Sequence, residues 1–324
     1  MLGAGGVLGA AWSIGALCAL HDVLAVDARE AELVIGTSAG SVLAALVGAG
    51  VPPQFLRDHQ RGIALPQEGG PDEGADVYAW ARNWNYDRDT GDAKPTLPRL
   101  GLGSPHLLMR QVRHPLHYPP LSVLAAVTPP GTGDLAPIGR MVRSLAPDGG
   151  WLERSGVWVC AMDYDTGKRV AFGRADAPPA DLGDAVMASC AIPGWYSSVT
   201  IGAHRYVDGG ACSTTSADLA AGQGLDEVYV LAPMASVELD HPQTMGARLE
   251  RSLRKRITRR LSREVAKVAA SGARVTVLTP GAEDLAAMGA NLMDPGRRVA
   301  VLDVSLRTSA AALRAESGIV EAHA

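Results

Sequence analysis

Blocks of apolar residues, separated by polar and glycine-bearing turns, run the length of the chain. Ala10, Ala11, Trp12, Ile14, Leu17 and Leu20 recur at helical spacing, which predicts a helix over 10–21. Leu33-Val34-Ile35, behind Glu32, is a short apolar run of the kind found in a strand buried on both faces. The Ala-rich stretch 41–47 predicts a helix that ends at Gly48 or Gly50, ahead of Pro52. Two further runs, 157–162 and 169–172, flank Asp165-Thr166-Gly167 and predict a hairpin. A helix over 182–189, a turn at Ile192-Pro193-Gly194 and strands near 198–201 and 205–207 follow, and the runs 228–232, 275–279 and 299–304 complete the set. Short apolar runs alternating with helical segments predict an α/β sheet with helices on its faces. A strand is also expected before the glycine-rich stretch that starts at Gly3. Only Met1 and Leu2 precede it, so that strand is either very short or begins before Met1.

Two segments depart from this rhythm. From about 66 to 139 the chain is punctuated by Gly69-Gly70-Pro71, Pro95, Pro98, Pro105, Pro115, Pro119-Pro120 and Pro129-Pro130, which predicts an irregular insertion capping the rest. Trp80, Trp84 and Tyr86 within it are candidates for an acyl pocket, a membrane contact or a local core. Over about 244–270, Met245, Leu249, Leu253, Ile257, Leu261 and Val265 recur every four residues. Ten Lys and Arg fall between 248 and 274 against Glu250 and Glu264, so an amphipathic helix with a cationic outer face is predicted. Such a face either docks on an anionic membrane surface or is simply solvated.

Composition narrows the classes of function. With 324 residues, 47% of them hydrophobic, one large core can be filled, and a single domain over 1–324 is expected. A net charge of -4 and a pI near 6.1 exclude a general nucleic-acid binder. Cys18, Cys160, Cys190 and Cys212 are widely spaced, with no C-x-x-C pair and no His cluster at ligand spacing, so buried thiols are expected and no metal. The first charged side chain is Asp22 and the first basic one Arg29, so the apolar N-terminal stretch lacks the basic flank of a secretory signal and a cytoplasmic location is expected. The uncharged run 33–56 is long enough to cross a membrane, but it contains Gly-Thr-Ser-Ala-Gly-Ser and Pro52-Pro53, which suit a buried strand, turn and helix better.

Gly36-Thr37-Ser38-Ala39-Gly40 is a G-x-S-x-G elbow, whose glycines let the backbone turn sharply from strand to helix and present the serine hydroxyl. The motif is short enough to arise by chance, and its weight comes from the apolar strand before Gly36 and the helix former run after Gly40. Ser38 then stands at a helix N-terminus, where developing negative charge is favoured. Gly3-Ala4-Gly5-Gly6-Val7-Leu8-Gly9 fails as a dinucleotide fingerprint because the third glycine falls on Leu8, and there is no Walker A sequence, so no cofactor is expected. Its small residues suit an oxyanion hole of backbone amides, or a tight turn packed on the sheet. Asp208-Gly209-Gly210 follows Tyr206-Val207 at a strand end, from which a carboxylate can face a cleft, although the same residues make an ordinary turn.

Four blocks, 2–11, 35–41, 188–194 and 206–210, resemble the patatin-like phospholipase family in order and spacing. The resemblance implies a three-layer α/β/α sandwich with a mostly parallel central sheet. It also implies a carboxylic ester hydrolase of phospholipase A or lysophospholipase type, with Ser38 as nucleophile, Asp208 as base and Gly5, Gly6 and Val7 as oxyanion donors, framed by Gly36, Gly40, Gly209 and Gly210. Its partner would be a lipid acyl ester, with peripheral docking on anionic membrane through the basic helix. One departure is Leu8, where the family's glycine loop usually carries Arg or Lys, which removes a positive charge from the neighbourhood of the oxyanion. An acyltransferase on the same site and a non-catalytic lipid-binding protein are the alternatives. A histidine triad drawing on His204, His241 or His323 is a third, though only about 35 residues precede Ser38, too few for the strands that come before the elbow in that fold.

Overall fold

The computed structural model describes residues 1–63, 78, 80–81, 84, 103–113, 120–146, 150–152, 156–237 and 245–317. Helix α1 spans Gly6–Leu24 and starts inside the glycine-rich stretch itself. Strand β1 (Leu33–Thr37) leads through Ser38 into α2 (Ala39–Gly48), and α3 (Pro53–Gln60) follows. The uncharged run 33–56 is thus a strand, a turn and helices, packed in the core. Helix α1 is long and apolar enough to cross a membrane, but it packs as a core helix, with most of that length buried.

Within the 66–139 segment the described residues include helices α4 (Pro105–Arg113), α5 (Pro120–Val127) and the start of α6 (Ala136–Arg143), with non-helical chain over 128–135. Pro105 and Pro120 open their helices and Pro137 lies in the first turn of the third. At those positions the missing N–H has no intrahelical partner to lose, so prolines that read as breakers act as helix starts. Of the aromatic candidates, Tyr86 lies outside the described residues.

Strands β2 (Gly156–Asp163) and β3 (Arg169–Phe172) form the expected hairpin around Gly167, whose φ is 70°. Helix α7 (Leu182–Cys190), β4 (Val199–Ile201) and β5 (His204–Asp208) come next, then β6 (Glu227–Leu231), α8 (Met245–Ala270), β7 (Arg274–Leu278), α9 (Ala282–Met288) and α10 (Arg298–Ser317). The run 299–304 is therefore helix, not strand. Val301, Leu302, Ser305, Ser309 and Leu313 are its buried positions, a spacing of three and four that a six-residue window cannot distinguish from a continuous apolar run.

The sheet is mixed. Strands β1 and β2 pair in parallel, as do β6 and β7, whereas β3 and β5 run antiparallel to β2, and β4 to β5. Leu2 joins the two parallel pairs, bridging Gly36 on one side and Leu231 on the other. Its amide donates to Ile35 O at 2.8 Å and its carbonyl accepts from Thr37 N at 3.0 Å, so Leu2 occupies the expected strand position ahead of the glycine loop.

Residues alternate between the two faces of this sheet. Val34, Val157, Val159 and Ala161 face the larger core, with α1, α2, α7 and α10, while Ile35, Cys160 and Ala171 face the other side. Val228 and Val230 pack with Ile257, Leu261 and Val268 of α8, giving the layer of helices on each face that a three-layer α/β/α sandwich requires. All four cysteines are buried thiols. Helix α10 closes over α1, where Gly15 meets Ser305 and the Ser305 hydroxyl donates to Trp12 O at 2.6 Å.

Helix α8 is also tied to the sheet by one buried carboxylate. Glu264 accepts from Ser213 Oγ (2.6 Å), Thr215 Oγ1 (2.9 Å), the Ala217 amide (3.0 Å) and Arg260 Nε (2.9 Å). Replacing it with alanine leaves buried donors without an acceptor, which costs about 3–5 kcal/mol. Glu264→Ala is therefore expected to lower the midpoint of urea unfolding with an unchanged m-value. An unshifted midpoint would show that this clamp contributes nothing to stability.

Candidate active site

Two strand ends meet on β2. Val159 pairs with both Gly36 and Phe172, and Ala161 with both Asp208 and Val170. Each residue has only two edges to offer, so β3 takes one edge of β2, and β1 and β5 share the other. Strand β1 runs parallel to β2 and β5 antiparallel, so their C-terminal ends converge, Thr37 opposite Cys160 and Asp208 opposite Ala161. Ser38 and Asp208 are brought together by that register.

Ser38 sits at φ 55° and ψ -127°, a conformation that L-residues seldom adopt and that persists only where the surroundings enforce it. Gly36 and Gly40 make the turn possible. A Cβ at Gly36 would lie 2.5 Å from Ser41 Cα, and one at Gly40 would overlap the Leu2 carbonyl. The Ser38 amide donates to Ser189 Oγ at 2.8 Å, and Ser189 Oγ donates in turn to Cys160 O at 2.6 Å. Sequence reasoning assigned Ser189 no role. The signal was present, since it lies in the block 188–194, but a serine inside an apolar helix gives no hint of which backbone it fastens.

Asp208 is 6% exposed. Its amide donates to Ala191 O at 2.9 Å, and its Oδ1 accepts from the Gly210 amide at 2.7 Å. Ser38 and Asp208 line the same cavity. Burial pushes the Asp208 carboxyl up to about 6, against the smaller opposing pull of the nearby Ser38 side chain and the Gly210 amide. Gly209 packs against the Cys160 backbone with no room for a side chain.

The glycine loop is fastened on both sides. Gly3 N donates to Leu231 O (2.9 Å), Ala4 N to Thr214 O (2.7 Å) and Leu8 N to Leu292 O (3.0 Å). Between them, the amides of Gly5, Gly6 and Val7 have no protein acceptor among the described residues. Gly6, at φ 60°, has Met293 packed where a side chain would project. These amides open the 19-residue helix α1, whose dipole favours negative charge there. Leu8 is fully buried and lines no cavity of the site, so its side chain belongs to the core rather than to the cleft.

Ser38 lies where two cavities meet, and Gly6, Ile192 and Met293 line both. One, of about 110 Å³, is a narrow apolar slot between α1, α2 and α6, lined by Ile14, Leu43, Leu46, Ile138, Trp80 and Trp84 among others. Trp80 and Trp84 therefore border this slot and also pack with the main hydrophobic core. The other, of about 380 Å³, contains Gly5, Asp208, Gly210 and Thr214 and is walled by Arg254 and Ile257 of α8. Cys190 also borders the slot, but burial holds its thiol protonated, far above the usual cysteine range. Val7 faces the slot, and Gly5 faces the wider cavity. His204 is elsewhere, at the opposite end of β5, with Nδ1 2.9 Å from Asp163 Oδ2, and His241 and His323 lie outside the described residues. Among the described residues, no three His, Cys, Asp or Glu side chains converge as metal ligands.

A family model described as patatin-like phospholipase matches residues 1–221, which include the elbow, the glycine loop and Asp208. No curated protein matches the chain significantly. Among solved structures, the crystal structure of the type III effector protein ExoU is similar, at 17% sequence identity and a TM-score of 0.35. The similarity covers 97% of this chain and 52% of that one, so the chain spans about half the length of ExoU.

The raised Asp208 carboxyl has a stability consequence. The folded state holds this proton up to about pH 6 and the unfolded chain only to about 4, so the Asp208 contribution is most favourable below pH 4 and declines as pH rises through 6. Asp208→Asn removes that liability and is expected to be the more stable protein at pH 8, by on the order of 3 kcal/mol, with the gap closing at pH 4. Thermal melts at the two pH values check this, and equal melting temperatures at pH 8 would contradict it.

Proposed function

The chain belongs to the patatin-like phospholipase family, and on that premise we propose that it is a serine carboxylic ester hydrolase acting on lipid acyl esters. The observation that carries this reading is that Ser38 and the buried Asp208 carboxylate line one cavity, at the point where Ser38 also opens onto the apolar slot. In the proposed cycle Asp208 takes the hydroxyl proton as Ser38 Oγ attacks the ester carbonyl carbon. The charge that develops on the carbonyl oxygen is met by the amides of Gly5, Gly6 and Val7. The tetrahedral adduct expels the alcohol, which takes the proton back from Asp208, and leaves the acyl group on Ser38. Water then delivers a proton to Asp208 as it attacks the acyl carbon; the bond to Ser38 Oγ breaks, Ser38 Oγ takes that proton from Asp208, and the fatty acid is released. The narrow apolar slot suits the acyl chain and the wider cavity the alcohol half and the incoming water.

The Asp208 environment answers a difficulty of Ser-Asp chemistry. An ordinary aspartate, near 3.9, is a weak match for a serine hydroxyl, whereas a carboxyl raised to about 6 is a stronger base and still mostly ionised at pH 7. The unit we propose to be catalytic extends past the matched residues 1–221, because the wider cavity also draws on Leu253, Arg254, Ile257 and residues 290–293. We read 1–324 as one hydrolase on that ground.

Covalent labelling by a fluorophosphonate probe, read by intact mass beside p-nitrophenyl ester turnover, tests the reading. Wild type is expected to take one label and Ser38→Ala none. Asp208→Asn is expected to lose 10²–10⁴-fold in kcat/KM, the usual contribution of a general base. Wild-type kcat/KM should rise with pH through about 6 and level above it, since the base must be ionised. Persistent labelling of Ser38→Ala would sink the assignment.

The outer face of α8 carries exposed Lys255, Arg256, Arg259, Arg263 and Lys267, while its inner face borders the wider cavity. We propose that this cationic face docks the cavity on anionic lipid. Co-sedimentation with vesicles containing phosphatidylserine should be strong at low salt, weak at 0.5 M salt and absent with neutral vesicles, because surface charge attraction is screened. Salt-insensitive binding, or none, would remove the docking proposal.

A further inference from the structure

Two polar atoms are stranded in the wall of the apolar slot. Gln60 is 3% exposed and Trp80 6% exposed, both line the slot, and neither Gln60 Oε1 nor Trp80 Nε1 has a hydrogen-bond partner among the described residues. Buried side-chain donors and acceptors are paired as a rule, so an exception calls for a cause. Other indoles of this chain follow the rule: Trp12 Nε1 donates to Asp284 Oδ1 at 3.1 Å and Trp151 Nε1 to Val157 O at 3.0 Å. The two stranded groups lie together and away from Ser38. Ring contacts hold Trp80 to α3, with centroids 5.0 Å from His59 and 6.2 Å from Phe55, and Gln60 ends that helix. Arg57 and Arg61 of the same stretch act on the thiol of Cys18, in the C-terminal half of α1, whereas Ser38 shares its end of the slot with Gly6 and Val7 at the start of α1. Along α2 the slot is lined from Ser38 to Leu46, a rise of about 12 Å at 1.5 Å per residue. An extended chain advances about 1.2 Å per bond, so one attached at Ser38 comes to the α3 end of the slot after roughly ten bonds.

We propose that Gln60 and Trp80 form a subsite for a hydroxyl on the acyl chain, so that the preferred acyl group is a hydroxylated fatty acyl rather than a plain one. A hydroxyl is donor and acceptor at once: it donates to Gln60 Oε1 and accepts from Trp80 Nε1, and so pairs both groups. A methylene at the same place leaves both unpaired in an apolar surrounding, which is unfavourable. A site built to hydrogen-bond a substrate hydroxyl rejects the analogue lacking it far more strongly than an apolar pocket rejects an added group. Between Ser38 and this pair, Ala10, Ile14, Val42, Leu43 and Leu46 keep the slot hydrocarbon, which suits the intervening methylenes. The inference rests on the ester-hydrolase reading of Ser38 and deepens it by naming a class of acyl group.

The test measures kcat/KM for p-nitrophenyl esters of octanoic, decanoic and dodecanoic acids, each with and without a terminal hydroxyl. Wild type is expected to favour the hydroxylated ester at least tenfold at one of these lengths and less at the others. The 3-hydroxydecanoyl ester, whose hydroxyl falls short of the pair, should show no such preference. Gln60→Leu and Trp80→Phe keep most of the side-chain bulk and remove the polar atoms, and each should lower the preference several-fold while raising kcat/KM for the plain ester. No hydroxyl preference at any length, an equal preference for 3-hydroxydecanoyl, or variants that lose both kinds of ester in proportion would overturn the proposal. The wild-type comparison decides the question even if the variants fail to fold. If wild type hydrolyses none of the esters, the hydrolase reading fails by itself, and binding then judges the subsite. Free 10-hydroxydecanoate should raise the thermal midpoint of wild type more than decanoate does, with the difference lost in Trp80→Phe, and equal upshifts in wild type would overturn it.

Discussion

One edge of β2 is shared by two strands that arrive from opposite directions, and the site depends on where they stop. Strand β1 ends opposite Cys160 and β5 ends opposite Ala161. A slip of one residue in either pairing would turn the terminal side chains to the other face, because side chains alternate along a strand. The register is held by burial on both faces of the sheet and by Ser189, which links the Ser38 amide to the Cys160 carbonyl through one hydroxyl. The geometry between Ser38 and Asp208 is thus a property of strand pairing more than of either loop.

Two features of this junction are unfavourable in themselves. Ser38 adopts a left-handed conformation, which costs on the order of 1–3 kcal/mol, and Asp208 keeps a carboxyl away from water. Both are offset by packing and hydrogen bonds elsewhere in the fold. Leu2 fastens the start of the chain between β1 and β6, α10 covers α1, and Glu264 draws four donors from α8 and the segment after Asp208. A strained backbone and a buried acid in one place, amid a core with few such defects, are characteristic of a functional site rather than of a packing fault.

The chain also divides its labour unevenly. The elbow, the glycine loop and the acidic turn all fall within the region shared with the family. The wall that faces them across the wider cavity comes from α8 and from residues 290–293, later in the chain. On the proposed reading, chemistry and selection of the alcohol half are carried by different stretches: the first needs a fixed backbone geometry, while the second needs only a shaped wall. Helix α8 serves both inside and outside, with Ile257 and Leu261 in a core, Arg254 in the cavity and five cations in solvent.

The amino-acid sequence carried whatever depends on local backbone preference. It specified the elbow around Ser38, because glycine is needed where the chain doubles back. It also specified the hairpin at Gly167, the amphipathic helix near 244–270 and the acidic turn at Asp208. It misled at 299–304, where a short apolar window has no period, and at Pro105 and Pro120, where a proline that ends one segment also starts the next. What depends on distant partners came from the folded chain alone. Burial raises the Asp208 carboxyl, and Ser189 holds the elbow. Leu8 faces the core instead of the cleft, and Trp80 and Trp84 border the slot. Arg254, one of ten cations in its stretch, is the one turned inward to the site. Periodicity reveals which face of a helix is apolar, but which charge meets which cavity is set by the packing of helix on sheet, which no window of sequence contains.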